Sequence, residues 1–449
     1  MNNKEICKII KKVEKKNLKN FYIQNINFIP ILRLSLLEVL AQPKKNYNEN
    51  SIFIFITKLN QLFVSLFNYF FYFYLNKKKN KYSKSIIISR KNALVRFKKD
   101  ELIYDKIFDP LIKKKKIKNT IKIYLDCIIN PRNLAIKNIY YPWMVKTNFL
   151  KKKILIPKNI LKILNHISKD LNINKTDLLS KFQRKIEIFF YWKNKSKNYF
   201  NNFPNIRSVF FNCWYSPEFM AIIYEAKNRN IKTIDVQHGI QGKFHPMYSC
   251  WVNVKNYNYK LVPDKFWCWD KFSKKNMKDG LPNKQFHVPI LKNEIHDIIF
   301  KKRSTIKKNY KKIILFSLQK EAFSHDNFFP KFIDEFLKEK LNNNDLFIFR
   351  PQPNVYESQS KFLKNKIKYY SKKNILLDDC KYSFQDLLTK ATHHITAFST
   401  TSLEARLYGL KSIVFGEESK IVLQDYIKNK NLIWIRSNKN NLKKALDKN

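Results

Sequence analysis

Toward its C-terminus the chain alternates short apolar runs with longer stretches in which apolar residues recur at helical spacing. The apolar runs at 312–317, 346–349, 374–377, 394–398, 412–415 and 432–435 read as strands. Helices are expected near 328–341, 355–366, 384–390, 401–408, 420–428 and 440–447. The strand segments are continuously apolar rather than alternating, which marks strands covered on both faces. Strands and helices joined by short connections pack naturally as a parallel, doubly wound sheet.

The same rhythm begins upstream at residue 85. Segments 85–88, 121–125, 209–214 and 232–236 read as strands, and 150–200 as helical, with Ile160, Leu161, Ile163, Leu164 and Ile167 near helical spacing. Pro217 suits the first residue of a helix running to about Asn228. Trp267 and Trp269 flank Cys268 before Asp270, and read as a buried strand. A chain of 449 residues has room for two such domains. The expected fold class is therefore α/β: two Rossmann-like domains with parallel sheets and an interdomain cleft, over 81–295 and 296–449. Residues 1–80 are set apart as a helical and aromatic segment. Within it, 51–75 is strongly apolar but interrupted by Lys58, Asn60, Gln61 and Asn68, and followed by Lys77, Lys78, Lys79 and Lys81. A buried domain helix, an interfacial helix and a spanning segment all fit this pattern.

Composition then narrows the class. Hydrophobic residues make up 44% and aromatics 15%, enough for packed cores and against general disorder. The formal charge of +53 goes with abundant Lys, Asn, Ile and Phe and scarce Gly, so most lysines are read as solvated surface. The excess still draws the chain to anionic membranes and polyanions. Its lysine runs, at 77–79, 113–116 and 151–153, are dispersed, and no zinc-finger or RNA-binding signature accompanies them, so no specific nucleic-acid partner is expected. Six cysteines without a C-x-x-C pair read as reduced core thiols. With no signal-peptide core at the start, a cytoplasmic location is expected.

Glycine usage points to the candidate sites. Only five glycines occur, where about thirty are usual for this length. Gly239 and Gly242 follow the strand ending at Val236, Gly409 and Gly416 frame the end of a helix and of a strand, and Gly280 lies in an expected loop. Glycine permits positive φ and close backbone approach, so rare glycines mark demanding positions.

Three constellations carry chemistry. In Ser399-Thr400-Thr401-Ser402-Leu403-Glu404-Ala405, hydroxyls at a strand end enter a helix, where side-chain donors and free helix N–H groups suit a phosphate. Glu404, one turn inside, is placed to reach a ribose hydroxyl; plain N-capping is the alternative. In Arg350-Pro351-Gln352-Pro353, an arginine ends a strand and suits bidentate phosphate contact, against the alternative of a surface arginine at a turn. In Asp235-Val236-Gln237-His238-Gly239, His238 sits between a strand and a glycine turn, with Gln237, Gly242 and His245 nearby. Its ordinary pKa suits a general base near neutrality. No third or fourth ligand at suitable spacing accompanies these histidines, so no metal is expected. Asp105 and Asp109 are weaker candidates, as cleft carboxylates or as caps, and Asp378-Asp379 is read as structural. P-loop, G-x-G-x-x-G and G-x-S-x-G motifs are absent.

These residues resemble a family. The unit from Ser399 to Gly409 looks like the donor-nucleotide motif of two-Rossmann-domain (GT-B) glycosyltransferases. The Gln237-His238-Gly239 turn, with 263–270 and 104–111, resembles bacterial capsule and lipopolysaccharide transferases and related polyol-phosphate transferases. The resemblance spans 85–449; Arg350-Pro351-Gln352-Pro353 departs from the family's Arg-x-His-Pro. It implies a metal-independent glycosyltransferase of surface-polysaccharide synthesis, with a nucleotide-sugar as co-substrate and no other cofactor. Arg350, Ser399, Thr400, Thr401, Ser402 and Glu404 would bind the donor, and His238 would serve as base toward a glycan or lipid-linked acceptor. The lysines would hold the enzyme peripherally at the inner face of the plasma membrane. A polyol-phosphate transferase, a sugar-nucleotide epimerase and a non-enzymatic polyanion-binding protein are the alternatives.

Overall fold

The computed structural model describes residues 1–41, 83–96, 102–125, 134, 139–141, 154–252, 259–281, 284–288, 310–319, 329–352, 356–370, 373–381 and 383–448. The apolar stretch 51–75 and the lysine runs 77–79 and 151–153 lie outside them. No helix among the described residues is long and apolar enough to cross a membrane. The chain divides into two compact units: Met1–Leu94 with Tyr104–Ile290, and Val95–Ile103 with Leu291–Asn449.

The first unit opens with elements the apolar pattern left unread. Helix Asn3–Asn17 starts at a capping box formed by Asn2 and Glu5 and buries Ile6, Ile10 and Val13 on one face. Strands β1 (Tyr22–Ile23) and β2 (Ile26–Asn27) form a small hairpin, followed by helix Ile29–Leu40, buried along most of its length. Lysines crowd the first helix and hide its apolar stripe from a sequence reading. The rest is β3 (Ser85–Ser89), helix Phe108–Lys113, β6 (Thr120–Tyr124), β7 (Ile139–Tyr141), helices Lys158–Asp170 and Lys175–Asn202, β8 (Ser208–Phe211), helix Pro217–Lys227, β9 (Lys232–Val236), β10 (Lys265–Trp267), helix Lys271–Gly280 and β11 (Gln285–His287). The short strands β4 (Leu94–Arg96) and β5 (Ile103–Asp105) pair with each other where the chain leaves the first unit and returns to it. The main sheet has the order β11-β10-β9-β8-β3-β6-β7, with parallel pairing throughout. β3 and β6 are buried at every position, which is why they read as continuous apolar runs.

The second unit holds β12 (Lys312–Ser317), helix Lys331–Glu339, β13 (Asp345–Arg350), helix Tyr356–Tyr370, β14 (Ile375–Leu377), helix Phe384–Leu388, β15 (His393–Thr396), helix Thr401–Arg406, β16 (Ser412–Phe415), helices Glu417–Val422 and Gln424–Lys428, β17 (Ile433–Ile435) and helix Lys439–Lys448. Its sheet, β14-β13-β12-β15-β16-β17, is also parallel. The fold is thus two α/β units on parallel sheets, the GT-B-like class expected from the strand and helix rhythm.

Both sheets reverse direction once. In the first, the chain builds β6 and β7 on one side of β3 and returns to lay β8, β9, β10 and β11 on the other. In the second, β13 and β14 extend from one side of β12, and β15 to β17 from the other. Crevices for ligands open at the carboxyl ends of the strands flanking such a reversal. These ends are Ser89 and Phe211 in the first unit, and Ser317 and Thr396 in the second.

Three local expectations need correction. Gly280 is not in a loop but ends helix Lys271–Gly280, where an added Cβ would lie 2.3 Å from the Ser249 Cα. The Trp267–Trp269 strand stops at Trp267, because Asp270 already accepts the Ser273 N–H and caps the next helix. The single helix expected over 420–428 is two, with the break burying Leu423.

Candidate functional site

In the second unit, β15 delivers Ala397, Phe398 and Ser399 to the reversal point. The Gln319 side chain, just past β12, accepts the Phe398 N–H at 2.8 Å and ties the two strand ends together. The turn then closes on itself. Ser399 Oγ accepts the Thr401 N–H at 3.3 Å, and the Ser399 carbonyl accepts the Ser402 N–H at 3.0 Å and the Ser402 hydroxyl at 2.8 Å. The Thr400 carbonyl accepts the N–H groups of Leu403 and Glu404 at 2.9 and 3.1 Å. The first-turn N–H groups expected to gather free at this point are therefore engaged within the turn. Ser399, Thr400 and Thr401 are half-buried at this turn. The helix ends after Arg406, and Gly409 (φ +75°) lets the Leu410 N–H reach back to the Ala405 carbonyl at 3.2 Å.

Beneath the turn runs a chain of side chains that the sequence reading missed. Thr401 Oγ1 lies 2.9 Å from Ser317 Oγ, Ser317 Oγ 2.8 Å from His394 Nε2, and His394 Nδ1 2.6 Å from Ser412 Oγ. The Ser412 hydroxyl donates to the Ser402 carbonyl at 3.2 Å. That last bond fixes every other direction. With its proton on the carbonyl, Ser412 accepts from His394 Nδ1–H, Nε2 accepts from Ser317, and Ser317 accepts from Thr401. Burial pushes His394 down to about 3, so the ring is neutral, as this polarity requires. Thr401 thus gives its proton inward and keeps its oxygen lone pairs for an outside donor. The signal was present in the sequence: a serine and a histidine inside otherwise apolar strands.

The remaining donor candidates are placed as follows. Ser402 is fully buried, with its hydroxyl committed as above. Glu404 is buried and accepts from Gln385 Nε2 at 2.6 Å. Arg350 ends β13, one strand from the reversal; its guanidinium is buried against Asp378, and its carbonyl takes the Leu318 N–H at 3.0 Å. Asp378 also accepts the Cys380 N–H at 3.0 Å, so it anchors the β14 turn as well as the arginine.

In the first unit, β9 carries Asp235 and leads into Gln237 and His238. Asp235 is buried and accepts the Trp214 N–H at 3.0 Å and the Tyr248 hydroxyl at 2.8 Å. It thereby supports the turn at Cys213, a non-glycine residue at φ +77°. Burial raises Asp235 to about 8. Gln237 is a staple: its amide donates to the Gly239 carbonyl (2.8 Å) and Ser273 Oγ (2.9 Å), and its oxygen accepts the Trp269 N–H (2.6 Å).

His238 is half-buried beside Tyr215 and Tyr248, with ring centroids at 6.1 and 6.4 Å. His245 packs against the same tyrosines at 5.6 and 4.8 Å and accepts the Met247 N–H at 3.3 Å. Burial, reinforced by His245, Arg90 and Lys106, pushes His238 down to about 3, and burial pushes His245 to about 4. The near-neutral pKa expected of His238 is therefore replaced by a neutral imidazole over the physiological range. Its Nδ1 has no hydrogen-bond partner among the described residues. Gln241, only 2% exposed, has neither amide atom partnered there either, and the sequence reading passed over it. Gly242 accepts the His245 N–H at 3.1 Å and the Ser249 hydroxyl at 3.2 Å; the left-handed φ values belong to Gly409 and Gly416, not to Gly239 or Gly242.

The segment carrying His245 and Tyr248 is braced from the N-terminus. Arg33 pairs with Glu14, donates to the carbonyls of Pro246 (2.5 Å) and Ser249 (3.0 Å), and lies over the Trp251 ring at 4.1 Å. Tyr259 adds a bond to Glu14 at 2.5 Å. Asp105 and Asp109 fall to the cap and ion-pair readings. Asp105 accepts the N–H groups of Ile107 and Phe108 at 3.0 Å each, and Asp109 pairs with buried Lys122.

No protein-family model and no curated protein matches the chain. Solved structures do resemble it in fold. UDP-GlcNAc 2-epimerase from Methanocaldococcus jannaschii aligns with a TM-score of 0.50 at 14% identity, covering 81% of this chain and 92% of that one. UDP-GlcNAc 2-epimerase from Neisseria meningitidis, bound to UDP-GlcNAc, gives 0.47 at 12%, covering 81% and 90%. A UDP-forming trehalose-phosphate synthase from Burkholderia vietnamiensis gives 0.47 at 8%, covering 81% and 90%. At 14% identity the M. jannaschii likeness shows the fold alone.

Proposed function

We propose that the protein is a nucleotide-sugar enzyme of the glycosyltransferase type, transferring a sugar to a glycan or lipid-linked acceptor in surface-polysaccharide synthesis. One observation carries the reading: the Ser399–Glu404 turn lies where the second sheet reverses, the position at which open parallel sheets bind nucleotides. Ser399 and Thr400 face the diphosphate in this reading. Thr401 is an acceptor toward a ligand or a bound water, because its proton points to Ser317. Glu404, steadied by Gln385, takes the ribose hydroxyls. Arg350 and Ser402 act behind this layer, the first through the Asp378 pair and the second as a brace within the turn.

The first unit supplies the acceptor side. Gln241 and the Nδ1 of His238, buried and without partners among the described residues, are polar groups suited to the hydroxyls of a glycan. A histidine held at about 3 is a weak base. In this reading it takes the proton of the acceptor hydroxyl as the glycosidic bond forms. The basic surface keeps the enzyme at the anionic inner leaflet.

A second reading is a sugar-nucleotide epimerase. It is favoured by the M. jannaschii structure, which bears that activity in its name and aligns over 92% of its length. Incubation with a nucleotide-sugar separates the two. A transferase consumes donor only when an acceptor glycan is added and releases nucleoside diphosphate; an epimerase equilibrates the sugar with no acceptor present.

A further inference from the structure

Cys7, buried on helix Asn3–Asn17, directs its Sγ to the Phe244 carbonyl at 3.3 Å. Cys250 directs its Sγ to the adjoining Lys243 carbonyl at 3.6 Å. The two thiols, far apart in sequence, therefore rest on consecutive peptide groups. Cys250 is half-buried and sits at φ +62°, a left-handed conformation unusual for a residue with a side chain. Cys268 and Cys380 instead bond to backbone carbonyls near their own strands, Phe266 at 3.9 Å and Pro351 at 3.4 Å.

The chemistry of the pair is asymmetric. The Cys7 thiol, with Arg33 and Lys11 nearby, holds the Cys250 thiol down at about 7 against the opposing effect of burial. Cys7 is pushed well up by Cys250 and by burial. One thiol is thus a ready nucleophile near neutral pH and the other a neighbouring resolving group.

We propose that Cys7 and Cys250 are a redox pair, closed to a disulfide by a peroxide. The Cys250 thiolate attacks one peroxide oxygen, breaking the O–O bond and leaving a sulfenic acid on Cys250 and one water once the leaving hydroxide takes a proton. Cys7 then attacks that sulfur, the S–O bond breaks, and the Cys7 proton leaves with the hydroxyl as a second water. Two thiols lose two electrons and two protons, and the peroxide gains both. The resulting bond pins the N-terminal helix to the 242–251 segment, which carries His245 and Tyr248 and is already gripped by Arg33. This inference does not depend on the transferase reading.

The test is titration of the reduced full-length protein with hydrogen peroxide, followed by thiol alkylation, digestion and mass spectrometry. The expected product is a linked pair of peptides containing Cys7 and Cys250, lighter by two hydrogens, formed at near-stoichiometric oxidant. The thermal midpoint is expected to rise by about 5 °C on oxidation and to return with dithiothreitol. In Cys7→Ser, Cys250 is expected to stop at a sulfenic acid trapped by dimedone. A folded wild-type protein that yields no Cys7–Cys250 link, or links either cysteine elsewhere, overturns the proposal. So does an unreactive Cys250 in Cys7→Ser.

Discussion

Ser317, the last residue of β12, donates a 2.8 Å hydrogen bond to His394 of β15, and through that bond the two strands flanking the reversal of the second sheet hold the Ser399–Glu404 turn. The imidazole is the middle of a one-way chain that starts at Thr401 and ends on the Ser402 carbonyl. Replacing His394 by Phe removes the acceptor of the Ser317 proton and the donor to Ser412 Oγ in a dry interior. The expected cost is about 2–4 kcal/mol in urea denaturation. Nucleotide affinity is expected to fall as well, because Thr401 is released to rotate.

The pH dependence of that variant tests the protonation state. His394 is depressed to about 3 in the fold and titrates near 6.5 when unfolded. Its contribution is complete above the unfolded value and is lost as pH falls toward the folded one, because the unfolded chain takes up the proton first. The stability advantage of wild type over His394→Phe is therefore constant above about pH 7 and shrinks steadily below 6. Denaturation midpoints from pH 8 to pH 4 measure it; a gap that widens in acid contradicts a neutral buried ring.

Asp235 gives the opposite slope. Its carboxyl is raised to about 8 by burial, so the protonated form is the one the fold prefers. That contribution is full below the unfolded value near 4 and is lost as pH rises through about 8. Relative to Asp235→Asn, wild type is expected to lose stability between pH 5 and pH 8. Paired denaturation curves at those two values decide it, and parallel curves rule out a raised carboxyl.

Glu14 and Arg33 form a buried pair beneath the His245 segment. Glu14→Gln strands the guanidinium charge and is expected to destabilise by about 3–5 kcal/mol. The double variant Glu14→Gln/Arg33→Met is expected to recover part of this, since removing both charges removes the desolvation cost. A double-mutant cycle that shows simple additivity would mean the pair is not coupled.

Two glycines make contrasting demands. Gly280→Ala sets a Cβ 2.3 Å from the Ser249 backbone, so the helix end must move, at a cost of about 1–3 kcal/mol. Gly409→Ala meets no atom within 4 Å and loses only about 1 kcal/mol through its φ of +75°. Thermal unfolding of the two single variants compares them directly.

Most strands of both sheets were legible because burial on two faces writes them as apolar runs; 312–317 and 412–415 agree with the structure to the residue, as does the more polar 232–236. β7 and β11 were not read: each is three residues long, and β11 carries polar Gln285 and His287 at its exposed positions, whereas the equally short β14 and β17 are apolar throughout. The N-terminal helices were hidden for another reason, since their buried face includes Glu14 and Arg33, charges that pair only in the folded chain. Of the candidate sites, Ser399–Glu404 and Gln237–His238 were visible as polar residues at strand ends. The side chains that orient them were not, because Ser317, His394 and Arg33 act across long sequence separations. The depressed pKa of His238 is a tertiary property of the same kind, set by burial and then by His245, Arg90 and Lys106.

The most direct test of the proposed nucleotide site is binding of nucleoside diphosphates and nucleotide-sugars to the full-length protein, followed by thermal shift and calorimetry. The wild type is expected to be stabilised by one nucleotide family, by about 2.7 kcal/mol at a hundredfold excess over Kd. Glu404→Gln, which keeps the side-chain volume beside Gln385, is expected to lose most of that gain while staying folded. A wild type that responds to no nucleotide, or a Glu404→Gln variant that responds as strongly as the wild type, contradicts the assignment of the Ser399–Glu404 turn.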